Sequence, residues 1–187
     1  MSKSILIVVA NPKKESLSFS IAKKYLQSAR KQGCFVEMLD LYRDENQQPF
    51  FSYDNDPYER EATKEMLYYQ DKILKADEIV FVFPYWWGSM PAILKNFFDW
   101  NFSMGFAATF ENGRPKGLLK NKSVKVFTTT GTPSFLYAIT GANRRLKNMF
   151  KEQIFDFCAM KLEGFHIFGG VDSDTKNIEN ILNKVEA

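Results

Sequence analysis

Residues 78–100 read Glu78-Ile79-Val80-Phe81-Val82-Phe83-Pro84-Tyr85-Trp86-Trp87-Gly88-Ser89-Met90-Pro91-Ala92-Ile93-Leu94-Lys95-Asn96-Phe97-Phe98-Asp99-Trp100. The apolar run at 78–83 has the length and the β-branched and aromatic content of a buried strand. Pro84 ends the pairing because it has no N–H to donate. Pro91 suits the first turn of a helix, and Ala92 to Trp100 continues at helical spacing. Trp86 and Trp87 therefore fall in the turn at the carboxyl end of a strand. Open α/β sheets bind ligands at such ends, and a large flat ring is a natural guest there. Core packing is the competing account of an aromatic cluster. Against it, neighbouring residues in a turn rarely both point inward.

Outward from this unit the chain alternates strand and helix. Ile5 to Ala10 is a continuous apolar strand of the kind found inside a parallel sheet. Ile21, Ala22, Tyr25, Leu26 and Ala29 then recur at helical spacing, with Gly33 closing the helix. Residues 35–41 read as a second strand. A polar loop spans 42–57 and ends Asp54-Asn55-Asp56-Pro57. A helix is predicted over 59–75. After helix 91–100 comes a long connection, 101–122, of a length that is often functional. The fourth strand is 124–128, followed by a polar turn, Thr129 to Ser134. Residues 143–157 look helical, 164–171 form a fifth strand, and 174–185 a terminal helix capped by Ser173 or Asp174. Strict alternation implies one α/β domain over residues 1–187, a doubly wound parallel sheet with helices on both faces. Five strands suit the flavodoxin-like order 2-1-3-4-5.

Composition narrows the function. The chain has 187 residues, 25 basic against 22 acidic side chains and a net charge of +3. That balance is too even for a dedicated nucleic-acid protein, and it is compatible with anionic small ligands. Cys34 and Cys158 are isolated, which points to free thiols in a reducing compartment. No apolar run reaches the length of a signal core or a membrane span. The expectation is a cytoplasmic protein without membrane insertion.

Three strand ends carry the candidate chemistry. The turn after the first strand offers Ser16, Ser18 and Ser20 at a helix start, where hydroxyls and free N–H groups bind phosphate. Phe19 could stack on a nucleobase. N-capping alone would need only one serine. No Walker A sequence or Gly-x-Gly-x-x-Gly motif is present. Thr129-Thr130-Gly131-Thr132 could hydrogen-bond a heterocycle's carbonyls and ring nitrogens. Phe106 and Phe110 lie on the long connection and could wall a pocket. Tyr137 could donate to a bound oxygen. The single histidine, His166, lies in an apolar strand and reads as a core or edge residue. No Ser-His-Asp triad and no cluster with metal-ligand spacing is evident. These absences point to a bound cofactor performing the reaction.

The stretch Ala76 to Lys95 resembles the central signature of the flavodoxin-like NAD(P)H:quinone oxidoreductases, the DT-diaphorases and small bacterial NAD(P)H dehydrogenases. The similarity continues at Gly105-Phe106-Ala107, Thr129-Thr130-Gly131, Tyr137, Gly141 and Gly164-Phe165, and more weakly at 5–22. The resemblance implies a non-covalent flavin, FAD or alternatively FMN, in a homodimer with the active site at the interface. Ser16, Ser18, Phe19 and Ser20 would meet the pyrophosphate and adenosine part. Pro84, Tyr85, Trp86, Trp87 and Gly88 would line the isoalloxazine edge, and Thr129, Thr130, Gly131 and Thr132 would bond its pyrimidine side. Tyr137 matches a tyrosine that stabilises charge on the reduced ring. Asn143 stands where the family has that tyrosine's histidine partner, and asparagine cannot hold a proton near neutral pH. Phe106 and Phe110 fall in the family's substrate pocket. Gly88 and Ala108 replace an aromatic and a tyrosine and would open that pocket, and Asn11-Pro12 stands for a His-Pro turn.

The expected activity is a ping-pong hydride relay from NAD(P)H through the flavin to a quinone-like acceptor. The rival is a non-enzymatic flavin protein, either an electron carrier or a regulatory subunit of a membrane transporter.

Overall fold

The computed structural model describes residues 2–53, 61–171 and 178–187. Its main sheet has five parallel strands: β1 (Ser4–Val9), β2 (Phe35–Asp40), β3 (Glu78–Pro84), β6 (Ser123–Thr129) and β7 (Lys161–Phe168). Their order is β2-β1-β3-β6-β7. A separate antiparallel pair, β4 (Ala108–Glu111) and β5 (Arg114–Gly117), forms a hairpin. Counting only the main sheet, the order is the expected 2-1-3-4-5.

The apolar strands serve two faces because side chains alternate. Leu6, Val8 and Ala10 enter one core with Phe81, Phe83, Leu94, Phe97 and Phe150. Ile5, Ile7 and Val9 enter the other with Ile21, Ala22, Tyr25 and Val82. The first core lies under α2 (Lys64–Lys75), α3 (Ala92–Asn101) and α5 (Ala142–Phe150); the second lies under α1 (Leu17–Lys31). Both flanks of β1 and β3 are thus covered, which is why these strands read as unbroken apolar runs.

Several expectations need adjustment. The long connection contains the β4–β5 hairpin, whose turn holds Asn112 and Gly113 at positive φ. The hairpin is anchored where Leu119 N–H donates to the Cys158 carbonyl at 3.0 Å. A Cβ on Gly117 would lie 2.3 Å from the Ala159 nitrogen, so only glycine allows the backbones to approach this closely. An unexpected helix, α4 (Ser134–Thr140), follows the threonine turn. Its Phe135, Leu136 and Ile139 are exposed, so it lacks the apolar–polar division that marks a helix in sequence. The helix predicted at 143–157 is α5 followed by a π-helical turn, Lys151–Phe155. The wider turn lets Phe150 and Phe155, five residues apart, both enter the core. The last strand runs 161–168, earlier than expected, because its register is set by pairing Ser123 with Lys161.

Helix α2 is described from Lys64, capped by the Thr63 hydroxyl. The expected end of the preceding loop and the helix start at Glu59 lie outside the described residues, as do Ser173 and Asp174. Helix α6 is described over Ile178–Leu182. His166 lies on β7, the outer strand, with its ring stacked on Phe127 at 4.8 Å. Glu78 opens β3 fully buried and accepts from Lys3 at 2.8 Å and from the Tyr25 hydroxyl. Neither cysteine is in a disulfide, and burial pushes the Cys158 thiol up to about 12.

Candidate active site

β1, β3 and β6 are adjacent in the sheet, so the turns leaving their carboxyl ends stand about 4.8 Å apart in the pairing direction. The three turns singled out in the sequence are therefore neighbours.

At the β3 tip Pro84 pairs with Thr129, and Tyr85 N–H extends the ladder to the Thr129 carbonyl at 2.7 Å. Trp86 and Ser89 then exchange backbone hydrogen bonds of 3.0 and 2.9 Å. Between them Trp87 and Gly88 have φ of 49° and 77°. Two consecutive positive φ values in a two-residue connection define a type I′ turn. That geometry throws both tryptophan rings outward: Trp86 is 42% exposed and Trp87 105%. Core packing is thereby excluded as their role within this chain. Gly88 is now explained by its backbone, since an L-residue at that φ would be strained. Trp87 carries that strain, about 1–2 kcal/mol for an L-residue in the left-handed region.

At the β6 tip, Thr130 N–H donates to the Phe168 carbonyl at 2.9 Å, and the Thr130 carbonyl accepts from Val171 N–H at 3.0 Å. The Thr130 hydroxyl accepts from Thr132 N–H at 3.3 Å and lies 3.4 Å from the Tyr137 oxygen. The Tyr137 ring meets Tyr85 edge-on at 5.3 Å. Thus the threonine turn, the start of the tryptophan turn and α4 are locked together. Burial, and then Tyr137, hold the Tyr85 hydroxyl above its usual range; the Arg145 guanidinium opposes this. Thr128 carries a buried hydroxyl with no partner among the described residues.

At the β1 tip the alternating serines divide. Ser16 is the N-cap of α1, but its hydroxyl is buried and caps nothing. Ser16 and Ser20, four residues apart and so on one helical face, line a groove of about 330 Å³ with Lys14, Phe19, Lys23 and Ile178. Ser18 turns the other way: it is 1% exposed and its hydroxyl accepts from Asn11 Nδ2 at 3.1 Å. It supports the turn and does not face the groove, which corrects its expected role. Phe19 is 4% exposed, packs into the second core and lies 5.7 Å from the Arg43 guanidinium. Little of its face is left for stacking on a base.

The remaining candidates are less converged. Phe106 packs partly buried against the first core, and Phe110 is exposed on the hairpin opposite Pro115. Asn143 is the second residue of α5, beyond Gly141 at φ 69°, and its Oδ1 is buried without a partner. Ala108, expected to open the pocket, is itself buried. Sequence reasoning passed over Arg43, which donates to Asp40 at 2.8 Å and to the Pro12 carbonyl. Its position just past the end of β2 is the signal that could have found it. Among the described residues no group of His, Cys, Asp and Glu could hold a metal ion, and no helix is long and apolar enough to cross a membrane.

Residues 3–187 match the model of a family described by its flavodoxin-like fold. An uncharacterized NAD(P)H oxidoreductase of Haemophilus influenzae is 33% identical over 169 residues, 89% of this chain and 83% of that protein. The ribosyldihydronicotinamide dehydrogenase [quinone] of Mus musculus is 29% identical over 202 residues, 96% and 87% of the respective chains. Among solved structures, an NAD(P)H:quinone oxidoreductase from Methanothermobacter marburgensis superposes with a TM-score of 0.88 at 21% identity, over 99% of this chain and 96% of that one. The sheet order and the helices on both faces define an α/β protein of the doubly wound class. The chain belongs to the flavodoxin-like family that contains the NAD(P)H oxidoreductases and quinone dehydrogenases, and it is an oxidoreductase of this kind.

Proposed function

We propose that the protein is a flavin-dependent oxidoreductase that takes hydride from NAD(P)H and delivers it to a quinone-like acceptor. The carrying observation is the bare Trp87 ring on a strained turn beside the Thr130–Tyr137–Tyr85 lock. Strain of this kind persists where a ligand uses it.

The residues present fit a flavin. Ser16 Oγ, at the start of α1, has no partner among the described residues and could bond a ligand phosphate. Ser16, Ser20 and the free N–H groups of the first turn of α1 would hold phosphate oxygens. The groove of about 330 Å³ that continues to Lys23 and Ile178 would take the phosphate end of FMN or the longer tail of FAD. Trp86, Trp87 and Gly88 would border the tricyclic ring, with Pro84 and Tyr85 behind them. Thr129, Thr130, Gly131 and Thr132 would bond its pyrimidine side. A bound flavin supplies the hydride-accepting and hydride-donating centre.

The chain's own share is orientation and charge stabilisation. Among the described residues, the N–H groups of Trp87 and Gly88 have no backbone partner and can donate to a developing negative charge. Thr130 is placed to donate to the Tyr137 oxygen, leaving the phenolic proton for a ligand. Asn143 can hydrogen-bond through its orphan Oδ1 but holds no proton. Donor and acceptor would occupy the same exposed face in turn, giving ping-pong kinetics.

A second copy of the chain would complete the site. Phe135, Leu136 and Ile139 of α4 are exposed immediately beyond the threonine turn, with Phe110 exposed on the hairpin. Bare apolar side chains clustered on one short helix in this way favour an interface. Phe106 and Phe110 would then wall the acceptor pocket. The free thiols of Cys34 and Cys158 suit a reducing cytoplasm. The oxidoreductase names of the relatives favour an enzyme over the carrier or transporter-subunit reading.

The test is direct. Purified protein reconstituted with FAD or FMN should bleach anaerobically with NADH or NADPH and recover colour on adding menadione. Initial rates against both substrates should give parallel double-reciprocal lines. Preparations that bind neither flavin would end the reading, and intersecting lines would end the ping-pong part of it.

A further inference from the structure

Arg43 ties three parts of the structure together. It stands just past β2, where its Nη1 donates to Asp40 Oδ2 at 2.8 Å and its Nη2 donates to the Pro12 carbonyl. Its guanidinium carbon lies 5.7 Å from the centroid of the Phe19 ring, within cation–π range. Pro12 belongs to the turn at 11–16 that leads from β1 into α1, and Phe19 belongs to the first turn of α1. One planar fork therefore engages a strand end, a turn and a helix at once.

That turn has few other ties. Lys13 N–H donates to Asn11 Oδ1 at 2.9 Å, and Asn11 Nδ2 donates to Ser18 Oγ at 3.1 Å. Pro12 has no N–H to give. Among the described residues, Arg43 is the one side chain from beyond α1 that bonds to residues 11–16. Asp40 is itself held, because its Oδ1 accepts from Tyr42 N–H at 3.1 Å. The groove beside the turn is lined by Lys14 and Ser16 on the turn side and by Phe19 and Ser20 on the helix side. Arg43 thus grips both walls of that groove, through Pro12 and through Phe19. Its charge is offset by Asp40, which suits a brace.

We propose that Arg43 is a positioning residue that holds the 11–16 turn against α1, so that Ser16 and the first N–H groups of α1 are in place before a flavin phosphate arrives. A turn that is already ordered pays less conformational entropy on binding. This inference rests on the flavin reading above and adds to it a residue that acts through the turn.

The test titrates wild type, Arg43→Met and Arg43→Lys with FMN, FAD and riboflavin, read by quenching of flavin fluorescence. Riboflavin carries the ring without a phosphate. For Arg43→Met the Kd for FMN and for FAD should rise about tenfold, the size of one lost charge-assisted bond, while that for riboflavin stays within about twofold. General loss of structure would weaken all three alike. Arg43→Lys should recover only part of the loss, because an ammonium keeps the charge but not the fork. Full recovery would mean that charge alone attracts the phosphate, and the brace would be overturned. Hydrogen–deuterium exchange of the flavin-free protein gives a second readout: amides of residues 11–20 should exchange faster in Arg43→Met, and those of α3 should not. Equal losses for the three flavins, no loss for any, or unchanged exchange would also overturn the proposal. If wild-type protein binds none of the three, the flavin reading fails, while the exchange measurement still decides whether Arg43 holds the turn.

Discussion

Replacing Trp87 by glycine should make the apoprotein slightly more stable and the flavin complex much weaker. The reason is that Trp87 has a positive φ of 49° and a side chain 105% exposed. An L-residue in the left-handed region costs about 1–2 kcal/mol, while glycine gives back about 0.5–1 kcal/mol through its larger unfolded-state entropy. No burial is lost, because the ring touches little in the free chain. The net expectation is a gain of between zero and about 1.5 kcal/mol in unfolding free energy. The effect on the ligand has the opposite sign. If a bound ring covers about 100 Å² of the indole, about 25 cal/mol/Å² gives about 2.5 kcal/mol, or close to two decades in Kd. Urea unfolding of the apoprotein, followed by circular dichroism, reads the first quantity. Quenching of flavin fluorescence reads the second. A loss of apoprotein stability above about 1 kcal/mol would mean that the indole packs like a buried side chain, and the reasoning would fail. A Kd within about threefold of wild type would remove Trp87 from the site.

Ser16→Ala should leave the apoprotein's melting temperature nearly unchanged, although an N-cap serine usually contributes about 1 kcal/mol, because this hydroxyl caps nothing; flavin retention should still fall, and a clear loss of apoprotein stability would show that the cap forms. Gly117→Ala forces a Cβ to within 2.3 Å of the Ala159 nitrogen, so thermal unfolding should show a loss of at least about 2 kcal/mol as the hairpin shifts, and a wild-type melt would contradict the close approach. Burial, and then the charge of Lys125, hold the His166 imidazole below its usual value of about 6.5. The unfolded chain therefore binds more protons there, so the stability this group contributes is complete above that value and is lost as pH falls through the folded pKa. His166→Asn should flatten this part of the stability profile measured by urea titration between pH 5 and 7, and an unchanged slope would assign it to other groups.

Much of the architecture was legible because local chemistry and tertiary fold agree. The runs Ile5 to Ala10 and Glu78 to Phe83 are apolar throughout because both of their faces are buried, and that alone implies a covered parallel sheet. The paired tryptophans between Pro84 and Pro91 announced an outward-facing turn at a strand tip. The β4–β5 hairpin and α4 were not legible. The first is short, with few apolar residues, and depends on the backbone contact between Gly117 and Ala159. The second bares Phe135, Leu136 and Ile139, so its pattern has no buried side to reveal.

The amino-acid order by itself determined the alternation of elements, the sheet order and the polar and aromatic turns at three neighbouring strand ends. These follow from periodicity and from where prolines stop a ladder, which are local properties. Only the tertiary structure decided which groups those turns expose and which they bury. It turned Ser18 inward to Asn11 while Ser16 kept an unpartnered hydroxyl, closed Phe19 beneath Arg43, and bound Tyr137 to both Tyr85 and Thr130. Such choices depend on contacts between residues distant in sequence or on opposite faces of one helix, and spacing along the chain carries no record of them.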